Sequence, residues 1–230
     1  MKSICFLAQF PPPMHGLSKA VETLYNSRLN GKYKLSKIDI TDNKRILRSL
    51  AALMRCQSDV VYFTPSQTRG GNLRDLVFLK LIQWRGKKCI VHIHGGYYRH
   101  LVDNDLPGWQ RRMNYRAIGR LAGGIVLGHS LHGIFKGMLP DNRIFVCPNC
   151  VDDTYIASSI DEKMDGLKRN GVLHVLYLSN FIASKGYREV LEMARMASDK
   201  GDGGKFVFHF AGKFFDPRED ARKRTSRVQQ

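Results

Sequence analysis

Long apolar segments are absent from this 230-residue chain. No run approaches the roughly 18 apolar residues that a membrane-spanning helix needs. The apolar start at residues 4–8 is too short for a secretory signal and leads directly into three prolines. These absences predict a cytoplasmic protein. Hydrophobic content of 43% and charged content of 25% favour a globular chain with one large domain or two small ones.

Cysteine is scarce, and its spacing gives no complete metal site. The five cysteines are an odd number, and Cys5 and Cys89 lie in apolar runs where Cys behaves as a small hydrophobic residue. Cys147 and Cys150 have the spacing of half a zinc site. No second Cys/His pair at ligand spacing accompanies them, so we predict no bound metal.

Acidic residues are also few. Twenty Asp and Glu stand against 37 Lys and Arg, which gives a formal net charge of +17. Such a balance indicates an acidic partner: nucleic acid, an anionic membrane or a phosphate-bearing substrate. The chain has no recognition-helix motif and no strand face on which aromatic and basic residues interleave, so we expect no nucleic-acid partner.

The chain does contain a regular alternation of strand-like and helix-like segments. Apolar runs predict strands at residues 2–8, 33–40, 60–63, 88–93, 124–127 and 143–147. Periodic segments predict helices at residues 17–29, 44–56, 72–84, 109–121 and 131–136. This alternation predicts an α/β fold, a Rossmann-like doubly wound parallel sheet with helices on both faces.

A polar stretch then interrupts the pattern, which restarts with a strand, a helix and a strand at residues 172–178, 187–199 and 206–211. We therefore predict an N-terminal domain, a linker and the first part of a second Rossmann-like domain over residues 1–150, 151–170 and 171–230. Two strands and one helix cannot bury both faces of a sheet. The second part is expected to dock on the first, to pair with another chain or to belong to something longer.

The stretch YLSNFIASKG, residues 177–186, joins a predicted strand to a predicted helix. Its polar residues Asn180 and Lys185 precede Gly186 at the helix start. Proteins with α/β folds hold phosphate in this way, because backbone N–H groups at the helix N-terminus and a lysine ammonium both face the anion. The alternative is a surface lysine in a first helical turn. The helix dipole disfavours a cation there, which favours a bound anion.

Two further loops follow predicted strands, at the sheet edge where such folds bind ligands. PPPMHGLS, residues 11–18, offers Gly16 for close backbone approach at a helix N-terminus. VHIHGG, residues 91–96, places His92 and His94 on one strand face. His94 lies nearer the carboxyl end, and as a neutral imidazole it could bind a hydroxyl or transfer a proton. For His92 a core position is the stronger expectation.

Two other patterns have simpler alternatives. Ser130 follows the fifth strand and is expected to N-cap the next helix rather than to bind a ligand. The helix at residues 109–121 carries Arg112, Arg116 and Arg120 beside an apolar stripe, which could rest on an anionic membrane. An ordinary solvated cationic face is the stronger interpretation of that helix.

Together these motifs resemble the GT-B glycosyltransferases of family 4, retaining and metal-independent enzymes that use nucleotide-activated sugars. The resemblance runs from Met1 to about Pro217. PPPMHG resembles the Pro-rich glycine loop of bacterial polysaccharide-building members, and VHIHGG their strand-end His-Gly. IFVCPNCVDD resembles the segment leading into their second domain, YLSNFIASKG the loop that receives the donor diphosphate, and FVFHFAGKF the next strand and its glycine.

The resemblance implies a role for individual residues. His94 would be the catalytic residue that contacts the transferred sugar. Donor and phosphate binding would fall to Gly16, Asn180, Lys185, Gly186 and Gly212. The acceptor side would include His15, Gly95 and Ser130. The resemblance implies no cofactor, because a nucleotide-diphosphate sugar is the substrate.

The chain departs from the family pattern in three ways. Asn180 stands where Arg is frequent, and Cys150 where Gly is usual. The later Glu-x7-Glu segment, which grips the donor sugar and ribose, has no counterpart after Pro217. The donor domain thus resembles a truncated one, which another chain could complete. We expect weak or no catalytic activity from this chain alone.

The resulting prediction is a glycosyltransferase of surface-polysaccharide or glycolipid assembly. It would transfer a hexose-type sugar, with retention, from a nucleotide sugar to a lipid-linked or saccharide acceptor. It would act as a peripheral protein at the inner face of an anionic membrane. The alternative is a non-catalytic binding or scaffold protein that keeps the acceptor and membrane surface.

Overall fold

The computed structural model describes residues 1–150, 161, 164–166, 171–182 and 185–214. The chain divides into two compact units, Met1–Tyr155 and Ile156–Gln230. The predicted linker lies almost entirely outside the described residues, as does the basic tail after residue 214.

The first unit is built on six parallel strands: Ser3–Ala8 (β1), Lys34–Asp39 (β2), Val60–Phe63 (β3), Lys88–His92 (β4), Gly123–Val126 (β5) and Ile144–Val146 (β6). Their order across the sheet is β2-β1-β3-β4-β5-β6, and every neighbouring pair is parallel. The order reverses direction between β1 and β3. Open α/β sheets bind ligands in the crevice outside the carboxyl ends of the strands at such a reversal.

Helices connect the strands: Gly16–Tyr25 (α1), Leu29–Lys32 (α2), Ile46–Arg55 (α3), Arg69–Trp84 (α4), Tyr98–His100 (α5) and Gly108–Gly119 (α6). One π-helical turn and three 3₁₀ turns occupy Leu101–Asp105, Asn43–Arg45, His129–Phe135 and Asp141–Arg143.

Each face of this sheet has its own core, because successive side chains of a strand point in opposite directions. Leu7 and Phe63 belong to a large buried cluster with residues of α3, α4 and α6. Phe6 and Tyr62 belong to a smaller cluster with Val21 of α1. Helices therefore cover both faces of a parallel sheet, which confirms the predicted doubly wound, Rossmann-like α/β fold.

Local boundaries differ from the sequence-based expectation, and the helix expected from residue 72 begins at Arg69. The first helix ends at Tyr25 rather than residue 29, because the backbone N–H and the hydroxyl of Ser27 both donate to the carbonyl of Leu24 and break the i to i−4 pattern. The segment expected as a helix at residues 131–136 forms 3₁₀ turns that begin after Gly128. The expectation that Ser130 caps a helix is wrong, because Gly128 occupies the cap position and Ser130 lies inside the turns, exposed.

The second unit contains a strand, a helix and a strand within its described residues: Leu173–Leu178 (β7), Tyr187–Asp199 (α7) and Phe206–Ala211 (β8). The two strands pair in parallel from Leu173↔Phe206 to Leu178↔Ala211. A small cluster of three buried aromatic residues, Tyr177, Phe181 and Tyr187, joins the strand to the helix.

Candidate functional site

Three polar side chains meet at the carboxyl edge of the first unit's sheet. Tyr62 lies in β3, His92 ends β4, and His94 follows two residues later. The hydroxyl oxygen of Tyr62 lies 2.7 Å from Nδ1 of His92 and 3.3 Å from Nε2 of His94. The centroids of the two imidazole rings are 3.9 Å apart, so both histidines lie on one face, as the strand alternation predicts.

Burial keeps this cluster uncharged at neutral pH. Tyr62 and His92 are 6% and 3% exposed, and His94 is half-buried. Burial lowers the pKa of His92 to about 3, with a smaller contribution from His94. Burial also lowers the pKa of His94, against the opposing effect of the nearby Asn149 amide, and raises the pKa of Tyr62. The neutral imidazoles can therefore both donate and accept hydrogen bonds.

Two ring nitrogens of the cluster have no partner. Nε2 of His92 and Nδ1 of His94 are buried and make no hydrogen bond to any part of the chain that the structure describes. Buried polar atoms are nearly always paired in folded proteins, and the exceptions concentrate where a ligand or water binds. The two atoms therefore mark this cluster as a candidate binding site.

A cavity of about 100 Å³ adjoins the two histidines. Its walls come from α1 and from the residues that follow β6, and include Ala20, Thr23, Leu24, Ser27, Cys147, Pro148, Asn149 and Cys150. The volume accommodates a group the size of roughly three water molecules. This is enough for one polar corner of a ligand, with largely apolar walls around it.

The Pro-rich loop ends in a helix cap. Nδ1 of His15 accepts a hydrogen bond from the Ser18 N–H at 3.3 Å, and the Ser18 hydroxyl accepts one from the His15 N–H at 3.0 Å. This reciprocal pair satisfies free N–H groups at the start of α1. His15, expected on the acceptor side, thus has a structural task. Gly16 is the first residue of α1, and a Cβ there would meet nothing within 4 Å.

Gln67 is a residue of this edge that the sequence interpretation missed. Its amide donates to the carbonyl of His94 at 3.3 Å and accepts from the N–H of Tyr97 at 3.1 Å, which holds the turn after β4. A Cβ at Gly95 would lie 2.7 Å from the Gln67 amide nitrogen, and the Gly95 φ of 150° also favours glycine. The available signal was the position of Gln67 shortly after β3.

The phosphate-binding prediction in the second unit concerns the residues between β7 and α7, of which 183 and 184 lie outside the described part. Gly186 is the N-cap of α7 with a φ of 78°, a left-handed conformation that favours glycine. Lys185 is exposed beside it, and its backbone N–H donates to the carbonyl of Ile182. Gly186 has no side chain with which to cap the helix.

Two other residues expected at the donor site have structural tasks. The side-chain oxygen of Asn180 accepts a hydrogen bond from the N–H of Lys213 at 3.3 Å, which ties the end of β7 to the residues after β8. A Cβ at Gly212 would lie 1.9 Å from the carbonyl oxygen of Ser179. Close packing of backbone therefore explains this glycine without a ligand.

The cationic helix of the first unit is amphipathic. In α6, Ala117 and Ile118 pack into the core, while Trp109 and Met113 are 50% and 40% exposed. Arg112, Arg116 and Arg120 lie on exposed positions of the same segment. Across the residues that the structure describes, no helix combines the length and apolar character needed to cross a bilayer. Those residues also contain no cluster of three or more metal-ligating side chains.

No protein-family model and no curated protein matches the chain. Among solved structures, the chain is similar to a crystal structure from Listeria monocytogenes described as a UDP-N-acetylglucosamine 2-epimerase. The TM-score is 0.52 at 10% sequence identity, and the match covers 97% of this chain and 66% of that one. The chain thus spans about two thirds of that protein. At this identity the likeness concerns fold alone, and it supports a GT-B-like fold without indicating glycosyltransferase family 4.

Proposed function

We propose that this protein binds a nucleotide-diphosphate sugar and transfers its hexose, with retention of configuration, to a lipid-linked or saccharide acceptor. The observation that carries the proposal is the neutral Tyr62–His92–His94 cluster at the carboxyl edge of a Rossmann-like sheet. The GT-B-like fold and the motif resemblance described above support the same assignment. The protein with the similar fold is described as acting on a nucleotide sugar, UDP-N-acetylglucosamine.

His94 would contact a hydroxyl group of the transferred sugar. A charged imidazolium would attract phosphate, whereas a buried neutral imidazole is suited to a hydroxyl, which can donate to it or accept from it. The small cavity beside His94 matches one polar corner of a sugar in size. Gly95 and Gly16 would allow close approach of the ligand to the backbone of the same edge.

Lys185 would bind the diphosphate together with the N-terminal N–H groups of α7. A helix of 13 residues directs partial positive charge towards its first turn, where Lys185 adds a full charge. Glu189 lies in the same turn and opposes an anion. Without the Lys185 ammonium, the Glu189 carboxylate would repel the diphosphate with no opposing charge beside it. We therefore expect the loss of Lys185 to weaken diphosphate binding strongly.

In the proposed reaction the bond between the sugar C1 and the diphosphate oxygen breaks, and the acceptor oxygen bonds to C1 on the same face. The acceptor proton passes to the departing phosphate. Lys185 and the α7 dipole would stabilise the negative charge that develops on the leaving group. His94 would hold the sugar in position while C1 becomes oxocarbenium-like.

Titration calorimetry with a panel of nucleotide sugars and their nucleoside diphosphates tests the proposal. We expect saturable binding that Lys185→Ala weakens roughly 10- to 100-fold, because a charge-assisted hydrogen bond contributes about 1.5–3 kcal/mol. Lys200→Ala is the matched control, since it removes an equal charge at the opposite end of α7. Equal affinities for both variants, or no saturable binding by the unaltered chain, would overturn the assignment.

A radiolabelled transfer assay separates the proposed enzyme from its rival. Saturable binding without turnover would favour the non-catalytic binding or scaffold protein. Conversion of UDP-N-acetylglucosamine to its 2-epimer without an acceptor would favour epimerisation, the activity for which the similar structure is named, over sugar transfer.

The acceptor is proposed to lie at an anionic membrane surface. The charge of +17 supports this partner, and so does an exposed apolar patch formed by α3 and α4. Leu47 and Trp84 are 78% and 74% exposed, and Leu50, Val77 and Lys80 lie around one surface groove with Trp84. Co-sedimentation with phosphatidylglycerol vesicles, compared with phosphatidylcholine vesicles, is the check.

A further inference from the structure

The hydroxyl of Tyr62 sets the proton positions of both histidines. It carries one hydrogen and lies between Nδ1 of His92 and Nε2 of His94. It can donate to only one ring, and the arrangement that uses this proton within the cluster has it donate to one ring and accept from the other. Since both rings are neutral, each holds one proton, and the direction of the two bonds decides which nitrogen carries it.

The two distances favour one direction. The contact of 2.7 Å between Tyr62 and His92 has the length of a hydrogen bond with an O–H donor. The contact of 3.3 Å between Tyr62 and His94 is long and fits the weaker N–H···O bond. A phenol is also a better donor than a neutral imidazole, and an imidazole nitrogen is a better acceptor than a phenol oxygen. Tyr62 therefore donates to His92, and Nε2–H of His94 donates to Tyr62.

We propose that Tyr62 and His92 are positioning residues that hold His94 as its Nε2–H tautomer, so that Nδ1 of His94 accepts a hydrogen bond from a ligand hydroxyl. This inference rests on the proposed function and deepens it, because it names the chemical group that His94 selects. A hydroxyl has a proton to give to Nδ1, whereas a carbonyl oxygen and an ionised phosphate do not. The specificity of His94 is thus for a saccharide hydroxyl rather than the diphosphate.

The surroundings of His94 suit this assignment. Its Nδ1 has no hydrogen bond within the described chain, and the ring lies in the wall of the cavity between α1 and residues 147–150. Asn149 lies in the same cavity wall beside the ring and raises the pKa of His94, an effect that burial outweighs.

Imidazole ¹⁵N NMR of the uniformly labelled 230-residue protein tests the tautomers directly. We expect a protonated Nε2 and an unprotonated Nδ1 for both His92 and His94 at neutral pH. A protonated Nδ1 on His94 would overturn the inference, and this measurement requires no variant and no bound ligand.

Three variants test the positioning role. His92→Leu removes the acceptor, so the Tyr62 proton turns to Nε2 of His94, and His94 should switch to its Nδ1–H tautomer. His92→Asn keeps a side-chain acceptor for Tyr62 and should restore the original tautomer. Tyr62→Phe removes both bonds and should leave His94 as a mixture. If His92 only supported the fold, the two variants would not differ in this way. His92→Leu would not switch the His94 tautomer, and His92→Asn would not restore it.

Tyr98→Phe is the matched control for Tyr62→Phe. Tyr98 is also buried, and its hydroxyl donates to Asn114 at 3.0 Å, away from the histidines. We expect its removal to leave the imidazole signals unchanged. An unchanged His94 tautomer in Tyr62→Phe and His92→Leu, with folded spectra, would contradict the proposal.

Titration with UDP-glucose and with UDP connects the tautomer to the ligand. We expect Tyr62→Phe and His92→Leu to weaken UDP-glucose binding roughly 5- to 10-fold, the equivalent of one hydrogen bond, and to leave UDP binding unchanged. If the unaltered protein binds no nucleotide sugar of the panel, the proposed function fails while the tautomer measurement stands. If UDP-glucose binds equally well to all variants, the inference fails and the proposed function survives.

Discussion

The two units contain the same strand–helix–strand element but bury it to different extents. In the first unit, apolar clusters cover both faces of a six-stranded sheet. In the described part of the second, three aromatic residues form the core, and Leu176 and Leu178 are 60% and 75% exposed on β7. Local stability follows burial, so we expect the element that carries the second candidate site to open more easily than the sheet that carries the first.

The two candidate sites also differ in chemistry, and this difference follows their burial. The buried cluster of the first unit consists of neutral groups, because burial disfavours charge. Lys185 of the second unit is exposed, so water solvates its ammonium group. If the proposed function holds, burial separates hydroxyl recognition in the first unit from anion recognition in the second.

The largest expected effect tests the difference in burial. Phe63 has no exposed surface in β3, and Phe63→Ala should lower the free energy of unfolding of the first unit by about 3–5 kcal/mol, through lost transfer energy and a cavity. Leu178→Ala in β7 should change the second unit by less than about 0.5 kcal/mol, because most of that side chain already contacts solvent.

Urea unfolding followed by tryptophan fluorescence measures the first unit alone, since Trp84 and Trp109 both lie in it. Hydrogen exchange followed by mass spectrometry reports β7. A cost for Leu178→Ala similar to that for Phe63→Ala would show that β7 is covered in solution, and the comparison between the units would then fail.

An intermediate effect concerns pH. Burial lowers the pKa of His92 to about 3, so in acid the unfolded chain takes up a proton that the folded ring refuses. The stability contributed by the neutral ring is complete above the unfolded pKa of about 6.5 and is lost as pH falls below it. Between pH 6.5 and 5.0 the loss should be about 1.6 kcal/mol, because the slope rises to about 1.4 kcal/mol per pH unit only as the unfolded imidazole becomes fully protonated.

The measurement compares urea unfolding of the unaltered protein and His92→Asn across this range. The difference isolates the ring, because Asp75, whose pKa burial raises to about 6, titrates in the opposite sense in both proteins. Parallel stability curves would mean that His92 takes up its proton in the folded state, and the neutral cluster would then be excluded.

The sheet of the first unit is predictable from sequence because each of its strands is short, apolar and bounded by polar or turn-forming residues. The polar residues buried in the interior of this unit are not predictable from sequence. Asn72, Gln110 and Asn114 look like surface residues on helical patterns, yet all three are buried and hydrogen-bonded to one another between α4 and α6. Periodicity treats such residues as solvent-facing, whereas pairing between two helices depends on tertiary placement.

The same limit applies to the candidate site. His94 is predictable because it follows a strand at the ligand-binding edge. Tyr62 is not, because it lies inside the apolar run of β3 and its partners are 30 and 32 residues away. Only the parallel register, in which Tyr62 opposes Ile90, brings its hydroxyl to the two rings.

The smallest expected effect compares two glycines that both follow a Rossmann-type strand and begin a helix. Gly186→Ala should destabilise the start of α7 by about 1–2 kcal/mol, because its φ of 78° is left-handed. Gly186→Asn should cost less, since Asn tolerates this conformation better. Gly16→Ala should be neutral within about 0.5 kcal/mol, because a Cβ there meets nothing within 4 Å.

Hydrogen exchange at α7 and urea unfolding of the first unit measure these effects on stability. UDP-glucose titration of the same variants shows whether either glycine also contributes to ligand affinity. If Gly16→Ala keeps its stability but loses affinity, the free space at Gly16 is where the ligand meets the backbone. If it keeps both, Gly16 only begins α1, and recognition in the first unit depends on His94 and its two supporting side chains.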